Sequence, residues 1–221
     1  MCSENTRISL INDYEVPKNK IFILRYGAPF DQVENYEKTF DKKMVLFVGV
    51  DFQRKGGDVL LKAFEKVHIE IPDANLLIIG PSKKLYKIEQ DGVTFLGPVY
   101  DRMVLKEYFK QAHVFTIPSV CEPFGWVFLE AMSYKLPCIG TNVDAMPEII
   151  KDGETGFLVE KNNVGMLTDR LIQILTDKNK ALHMGLAGFE YFKTSFKWEK
   201  VGESIDDVLH QINQKEFKNN E

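Results

Sequence analysis

The feature that most constrains the fold of this chain is an alternation of short apolar runs with longer segments of helical periodicity. The runs are rich in Val, Ile, Leu and Phe and show no regular polar alternation, which is typical of strands buried on both faces of a parallel sheet. In chain order they read IFILRYG, MVLFVGV, NLLIIG, VTFLG, HVFTIPS, PCIGT and GFLV. The alternation predicts repeated βαβ units with helices on both faces of the sheet.

The segments between the runs carry the apolar stripe of amphipathic helices. In residues 57–71, one face carries Leu60, Leu61, Phe64 and Val67, and Pro72 closes the segment. Further helices are predicted over residues 102–111, 125–134 and 165–175. This order predicts a doubly wound, Rossmann-like α/β fold, whose ligand binds at the carboxyl ends of the strands.

Composition excludes several classes of protein. With 44% apolar and 27% charged residues, the 221-residue chain is an ordinary globular protein, and its net charge of −4 gives no reason to expect nucleic acid as a partner. It lacks both a membrane-spanning run of about 18 apolar residues and a signal peptide, which predicts a cytoplasmic protein. Its three cysteines do not have metal-ligand spacing, so neither zinc nor a disulfide framework is expected.

The loop GVDFQRKGGDVL follows the second run and is a candidate anion site. Arg54 and Lys55 precede Gly56 and Gly57, where a helix is expected to begin. Two cations, a glycine backbone without side chains and a helix N-terminus together favour the binding of a diphosphate. Equally, Arg54 and Lys55 could be a solvated pair beside glycines that only permit a tight turn. The loop is neither a dinucleotide fingerprint nor a P-loop.

The loop CEPFGWVFLEAM places Glu122 before a helix and Glu130 on it. At about 1.5 Å per helical residue, their carboxylates lie up to roughly 12 Å apart, so they cannot share a proton but could span a nucleotide sugar. A carboxylate accepts hydrogen bonds from the vicinal hydroxyls of a sugar or a ribose. Between the two, the N–H groups of Phe124, Gly125 and Trp126 belong to the unpaired first turn of the helix.

Two other interpretations of this glutamate pair stay open at this level. Taken in isolation, Glu122 is more simply explained as a helix cap, and Glu130 as an exposed helical residue. Alternatively, the pair could be the acid and nucleophile of a glycosidase, which requires carboxyl groups about 5 to 9.5 Å apart. The basic loop and the parallel sheet disfavour the glycosidase. In a third loop, GTNVDAMPEIIKDGETGFLV, Gly153 and Gly156 are expected to serve turn geometry.

Together, FVGVDFQRKGGDVLLKAF, PSVCEPFGWVFLEAM and PEIIKDGETGFLV resemble the retaining glycosyltransferase family 4, which has the two-domain GT-B fold. The resemblance runs from about Ile21 to the C-terminus, and its most specific part is the pair of glutamates eight positions apart with PFG between them. It implies a domain that binds a nucleotide sugar, UDP- or GDP-linked, for transfer to an acceptor hydroxyl with retention of configuration. It implies neither a metal nor a separate cofactor.

The resemblance also assigns roles to individual residues. Glu122 matches the glutamate that contacts the donor sugar, and Glu130 matches the glutamate that binds the ribose. The catalytic set is completed by the basic residues that hold the diphosphate, Arg54 and Lys55. The remaining donor-binding matches are Phe124, Gly125 and Trp126 at the sugar and phosphate, and Gly97 and Val99 at the base.

Two departures from the family pattern concern the donor site. Many members carry an arginine where this chain has Val50, and Arg54 beside Lys55 could supply that charge. The family's frequent pair of glycines before PE is replaced by Ala145 and Met146, which narrows the space near the donor. Four histidines are present, and each falls on or near a helix or strand away from the donor loops, so none is a candidate general base.

The expected domain organisation is likewise implied by the resemblance. Residues 1–19 resemble the last helix of an N-terminal acceptor domain and the link that follows it, residues 20–194 the donor domain, and residues 195–221 the C-terminal crossing helix. The chain therefore resembles the C-terminal half of an enzyme, whose glycan or lipid-linked acceptor, and any peripheral membrane contact, would involve the other half. The alternatives are a non-catalytic nucleotide-sugar-binding module and an interaction remnant.

The terminal helices carry apolar residues that could form a surface for self-association or for a partner chain. Equally, these helices could fold back on the domain and bury the same residues. The residues concerned are Leu10, Ile11, Tyr14, Trp198 and Val201.

Overall fold

The computed structural model describes residues 3–28, 36–81 and 89–218. Within them, six strands form one parallel sheet in the order β3-β2-β1-β4-β5-β6. The strands are β1 (Met44–Val48), β2 (Asn75–Ile79), β3 (Val93–Gly97), β4 (Val114–Ile117), β5 (Cys138–Thr141) and β6 (Gly156–Val159). The predicted doubly wound, Rossmann-like sheet is confirmed.

Helices cover both faces of the sheet, with α2 packed on α6 and α4 packed on α7. They are α1 (Glu4–Asn12), α2 (Gly57–Glu70), α3 (Arg102–Gln111), α4 (Trp126–Ser133), α5 (Met146–Ile149), α6 (Val164–Thr176), α7 (Lys178–Ser195) and α8 (Trp198–Lys218). No helix in the described part of the chain has the length and hydropathy required to cross a bilayer.

The burial of the strands explains their composition. Every residue of β4 and β5 is buried, as expected of central strands with helices on both faces. Burial also explains the apolar stripe of α2. Its charged residues are exposed, and the residues of the stripe are all buried, namely Leu60, Leu61, Phe64 and Val67. The periodicity in the sequence therefore located most of these elements correctly.

The first predicted strand, residues 21–27, was wrong. This segment is extended but pairs with no strand, and most of its side chains are only half-buried. It packs against the C-terminal helices instead, where the Ala28 N–H donates to the Phe196 carbonyl at 2.8 Å and Gly27 lies beneath the Trp198 ring. A short apolar run can cover helices as well as enter a sheet, and periodicity does not distinguish the two cases.

The terminal helices bury some of the apolar residues considered for a partner surface and expose others. Val201 is buried, so it was wrongly placed in that surface, and Leu10 and Ile11 are half-buried. Tyr14 and Trp198 remain exposed, with 71% and 58% of their surface accessible. The division of the chain into residues 1–19, 20–194 and 195–221 stays a prediction.

Two buried basic residues lie at the amino-terminal edge of the sheet, opposite the candidate ligand loops. The Lys38 ammonium donates to the carbonyls of Phe109, Lys110 and Ala112, which satisfies the carboxyl end of α3. His113 directly precedes β4, and its ring packs at a tilt against Phe40, with the ring centroids 4.8 Å apart. Neither ring nitrogen of His113 has a well-formed hydrogen bond to any residue that the structure describes.

We expect His113 to make the fold sensitive to acid. Burial lowers its pKa from 6.5 to about 4, and the nearby carbonyls of Lys42 and Ile174 oppose this only in part. Between these pH values the unfolded chain binds a proton that the folded chain excludes, so stability falls as the pH drops from 6.5 to 4. The loss should be about 3 kcal/mol, measured as the free energy of urea unfolding.

His113→Phe should remove most of this pH dependence, because phenylalanine keeps the ring contact with Phe40 without a titrating group. The matched control is His183→Phe, which alters an exposed histidine on α7. An unchanged slope of stability against pH in His113→Phe would contradict the assignment.

Candidate functional site

The order of the strands defines where a ligand can enter. The chain proceeds outward from β1 through β2 to β3, and then returns to the other side of β1 with β4. In an open parallel sheet, the loops at the carboxyl ends of such neighbouring strands diverge and leave a crevice. Here those loops are residues 49–56, which carry Arg54 and Lys55, and residues 118–125, which carry Glu122.

Lys55 and Glu122 form an ion pair at the centre of this crevice. Only 13% of the Lys55 side chain and 7% of the Glu122 side chain are exposed, so each charge depends on the other for solvation. Ser119 Oγ lies 3.1 Å from the same Glu122 carboxylate. The structure thus brings together two of the three residues assigned as catalytic, and the interpretation of Glu122 as a simple helix cap is wrong.

Arg54 is exposed and joins the two loops, both through its guanidinium and through its own carbonyl. Its Nε donates to Asp51 Oδ2 at 3.1 Å, and its Nη1 donates to the Cys121 carbonyl at 3.0 Å. The Val120 N–H in turn donates to the Arg54 carbonyl at 2.9 Å. The guanidinium is therefore held at the mouth of the crevice, and two of its five N–H donors are used in these contacts.

The two helices that begin at the crevice differ from most others in how they start. The N-cap residues of α2 and α4 are Gly56 and Gly125, both in the left-handed conformation, and no side chain caps either helix among the described residues. By contrast, side chains cap α1, α3, α6 and α7, namely those of Ser3, Asp101, Asn163 and Asp177. Two helix ends with no side-chain cap beside Lys55 and Arg54 form a favourable place for an anion.

The aromatic residues around Gly125 pack against one another and against Tyr26. The rings of Phe124 and Trp126 lie 4.6 Å apart, and Tyr26 packs against both at 5.5 and 5.6 Å. Tyr26 belongs to the segment that was wrongly predicted as a strand, so its role here was missed. The three rings therefore pack together beside the start of α4, where no side chain caps the helix among the described residues.

Glu130 is half-buried on α4, and no described residue donates a hydrogen bond to its carboxylate. Burial raises its pKa, and Arg102 at the start of α3 opposes that rise. A partly desolvated acceptor without a protein donor suits a ligand that brings its own hydroxyl groups.

The segment predicted to line the base ends β3 and stands at the edge of the sheet. Gly97 is buried with a φ of +81°, and Val99 is half-buried. No hydrogen bond or ion pair between described residues joins either of them to Lys55, Glu122 or Glu130. Arg102, five residues after Gly97, acts on Glu130 through its charge.

The segment after β5 contributes Asp144, a residue that the sequence did not identify. Asp144 Oδ2 accepts the Glu122 N–H at 2.7 Å, and Glu148 Oε1 accepts the Glu4 N–H at 2.8 Å. Met146 is buried, and its sulfur would lie 3.0 Å from a β-carbon added at Gly125, in line with the narrowing expected there. The only signal for Asp144 was a polar residue shortly after a predicted strand end.

The described residues offer no metal site, and a large groove among them lies away from these loops. The described residues contain no group of three or more His, Cys, Asp or Glu side chains that could hold a metal ion. A groove of about 500 Å³ lies between residues 21–28 and the helices α7 and α8, where Ile23, Arg25 and Val201 help to line it. None of its lining residues belongs to the loops at the carboxyl ends of the strands.

Comparison with known proteins identifies the family of this chain. Residues 30–191 match the family described as "Glycosyl transferases group 1". N-acetyl-alpha-D-glucosaminyl L-malate synthase from Bacillus anthracis is 32% identical over 161 residues, which are 69% of this chain and 41% of that protein. The chain thus spans about two-fifths of the length of this relative.

Solved structures agree with the fold. A variant of S. aureus TarM, in complex with ligands that include UDP, superimposes with a TM-score of 0.78 at 20% identity, over 94% of this chain and 42% of that one. The C-terminal domain of a glycosyl transferase group 1 family protein (LpcC) from Francisella tularensis gives 0.62 at 21% identity, over 89% of this chain and 96% of that one. The fold is therefore that of the Rossmann-like C-terminal half of a GT-B glycosyltransferase, and this chain belongs to the glycosyl transferases group 1 family.

Proposed function

We propose that the crevice between β1 and β4 binds a nucleoside diphosphate sugar, and that the chain serves a retaining, family 4 type of transfer of that sugar to an acceptor hydroxyl. One observation carries the proposal: the buried Lys55–Glu122 pair lies where α2 and α4 begin, and the N-cap residue of each helix is a glycine. This arrangement places cationic and anionic groups side by side. A sugar diphosphate needs both, because its phosphates are acceptors and its hydroxyls are donors.

At the phosphate end, Lys55, Arg54 and the N-termini of α2 and α4 would hold the diphosphate. During transfer, the bond between the anomeric carbon and the phosphate oxygen breaks, and its electron pair stays on the departing diphosphate. The acceptor oxygen forms the new bond to the anomeric carbon, and the proton of the acceptor hydroxyl passes to the departing phosphate oxygen. Groups already aimed at this developing charge stabilise the transition state more than the ground state. Lys55 and Arg54 are therefore the residues expected to accelerate the departure of the nucleotide.

At the sugar end, Glu122 would accept hydrogen bonds from the sugar hydroxyls. Its carboxylate has about four lone-pair positions, of which Lys55 and Ser119 occupy two. Because Lys55 also faces the phosphate side, it can contact the diphosphate and Glu122 at the same time. In this arrangement Glu122 orients the sugar and transfers no proton.

At the ribose end, Glu130 would accept the two vicinal hydroxyls, since its carboxylate receives no hydrogen bond from any described residue. The base would lie toward Gly97 and Val99. TarM was solved with UDP, which supports a uridine nucleotide, and the sequence resemblance also allows a guanosine one. A titration with both nucleotides decides between them.

The test is calorimetric titration of the chain with UDP, GDP and ADP, and with UDP-N-acetylglucosamine and GDP-mannose. We expect saturable binding of one nucleotide, weakened by Glu130→Ala by about 1 to 3 kcal/mol through the loss of two hydrogen bonds to a charged group. Glu122→Ala should spare the free nucleotide and weaken only the nucleotide sugar.

The control is Glu65→Ala, which removes an exposed carboxylate from α2 and should leave all affinities unchanged. A further signature is pH dependence. Because the pKa of Glu130 is raised, the ionised acceptor should be lost on acidification at a higher pH than for an ordinary glutamate. Equal effects of the Glu122 and Glu130 variants on both ligands would contradict the division of roles, and absence of nucleotide binding would reject the proposed function.

A further inference from the structure

Asp144 occupies a strained position beside the donor crevice. It lies in the short connection between β5 and α5 and has a φ of +49°, a region that favours glycine over residues with a β-carbon. Aspartate tolerates this conformation better than most residues, because its carboxylate can form local hydrogen bonds. A residue held in this way usually has a contact that maintains it.

The contact that Asp144 makes is with the backbone of Glu122. Its Oδ2 accepts the Glu122 N–H at 2.7 Å, a short, charge-assisted hydrogen bond. Asp144 also lies next to the Cys121 thiol, whose pKa it raises by hydrogen bonding and by charge. The loop after β5 is thereby tied to the loop after β4.

The sequence makes this hydrogen bond hard to replace. Pro123 follows Glu122 and has no N–H, so the Glu122 N–H is the last backbone donor before Phe124. The hydrogen bonds that tie the backbone of this loop to residues 49–56 lie further upstream, at the Val120 N–H and the Cys121 carbonyl. Without Asp144, no hydrogen bond between described residues would fix the backbone at Glu122 itself, and only Lys55 and Ser119 would hold its side chain.

We propose that Asp144 is a positioning residue that fixes the backbone of Glu122, so that the Glu122 carboxylate meets the donor sugar. The proposal rests on the function proposed above, since it takes the sugar to be the partner of Glu122. It concerns the sugar end alone. The ribose and the base should be bound equally well with or without Asp144.

Two variants separate the hydrogen bond from the strain of the backbone. Asp144→Asn keeps an oxygen acceptor and also tolerates positive φ, whereas Asp144→Gly relieves the backbone but removes the acceptor. The first readout is amide hydrogen exchange at Glu122 by NMR. We expect protection in the unaltered chain and in Asp144→Asn, and its loss in Asp144→Gly.

The second readout is the ratio of affinities for UDP-N-acetylglucosamine and UDP, or for GDP-mannose and GDP, whichever nucleotide binds. This ratio should fall about tenfold in Asp144→Gly and stay within about threefold of the unaltered value in Asp144→Asn. The affinity for the free nucleotide and the melting temperature should stay nearly constant. A purely structural role would instead lower both affinities together.

The outcomes are distinguishable from failure of the proposed function. An unchanged ratio in Asp144→Gly, or equal losses in both variants, would overturn the positioning role even if the nucleotide binds normally. Unchanged amide protection in Asp144→Gly would overturn the hydrogen bond itself. If the unaltered chain binds neither UDP nor GDP, the proposed function fails and the role toward a donor sugar is overturned with it, while the exchange data still report whether Asp144 holds the loop.

Discussion

Gly56→Ala is expected to destabilise the chain by about 3 to 5 kcal/mol and to abolish nucleotide binding. Gly56 has a φ of +71°, and a β-carbon added there would lie 1.9 Å from the Pro118 carbonyl oxygen. Neither the carbonyl nor the helix that Gly56 begins can move without separating the two loops of the crevice. The free energy of unfolding in urea and the calorimetric titration measure the two effects.

Gly153→Ala is the matched control for this variant. Gly153 also has positive φ, at +76°, but nothing lies within 4 Å of the β-carbon position. Its replacement should therefore cost only the conformational term, about 1 to 2 kcal/mol, and leave binding unchanged. Equal losses of stability in the two variants would show that the contact between Gly56 and Pro118 has no energetic role.

Lys55→Ala should have the second large effect. It removes the counter-ion of Glu122 and leaves a carboxylate of which only 7% is exposed. Breaking one side of such a pair should destabilise the fold by about 3 kcal/mol, because the remaining charge stays desolvated. Affinity for the nucleotide diphosphate should fall as well, since Lys55 is proposed to contact the phosphates.

A double-mutant cycle separates these two contributions. Lys55→Ala combined with Glu122→Gln should recover much of the lost stability, because no buried charge remains, but it should not recover nucleotide affinity. The control is Lys43→Ala, which breaks the more exposed pair with Asp73 and should cost less than about 1 kcal/mol. Additive effects of the Lys55 and Glu122 changes on stability would argue against a coupled pair.

The sequence predicted correctly those strands and helices whose pattern of apolar residues has only one structural interpretation. The central strands β1, β4 and β5 are nearly continuous apolar runs, and α2 carries a single apolar stripe, so composition and period agreed. The same reasoning failed for residues 21–27. Their apolar side chains cover the C-terminal helices rather than enter the sheet, a choice set by neighbours that are distant in the sequence.

The candidate site also divides into features that the sequence predicts and features that only the tertiary structure decides. The sequence alone made Arg54, Lys55, Glu122 and Glu130 candidates by residue type and by position after predicted strands, and it predicted an anion and a polyhydroxyl ligand for those loops. Only the tertiary structure decided that Lys55 and Glu122 are partners, that Asp144 holds the Glu122 backbone, and that Tyr26 packs over the start of α4. These contacts join residues from 22 to 100 positions apart. The order of the strands in the sheet brings these residues together, and the local propensities of the sequence do not specify that order.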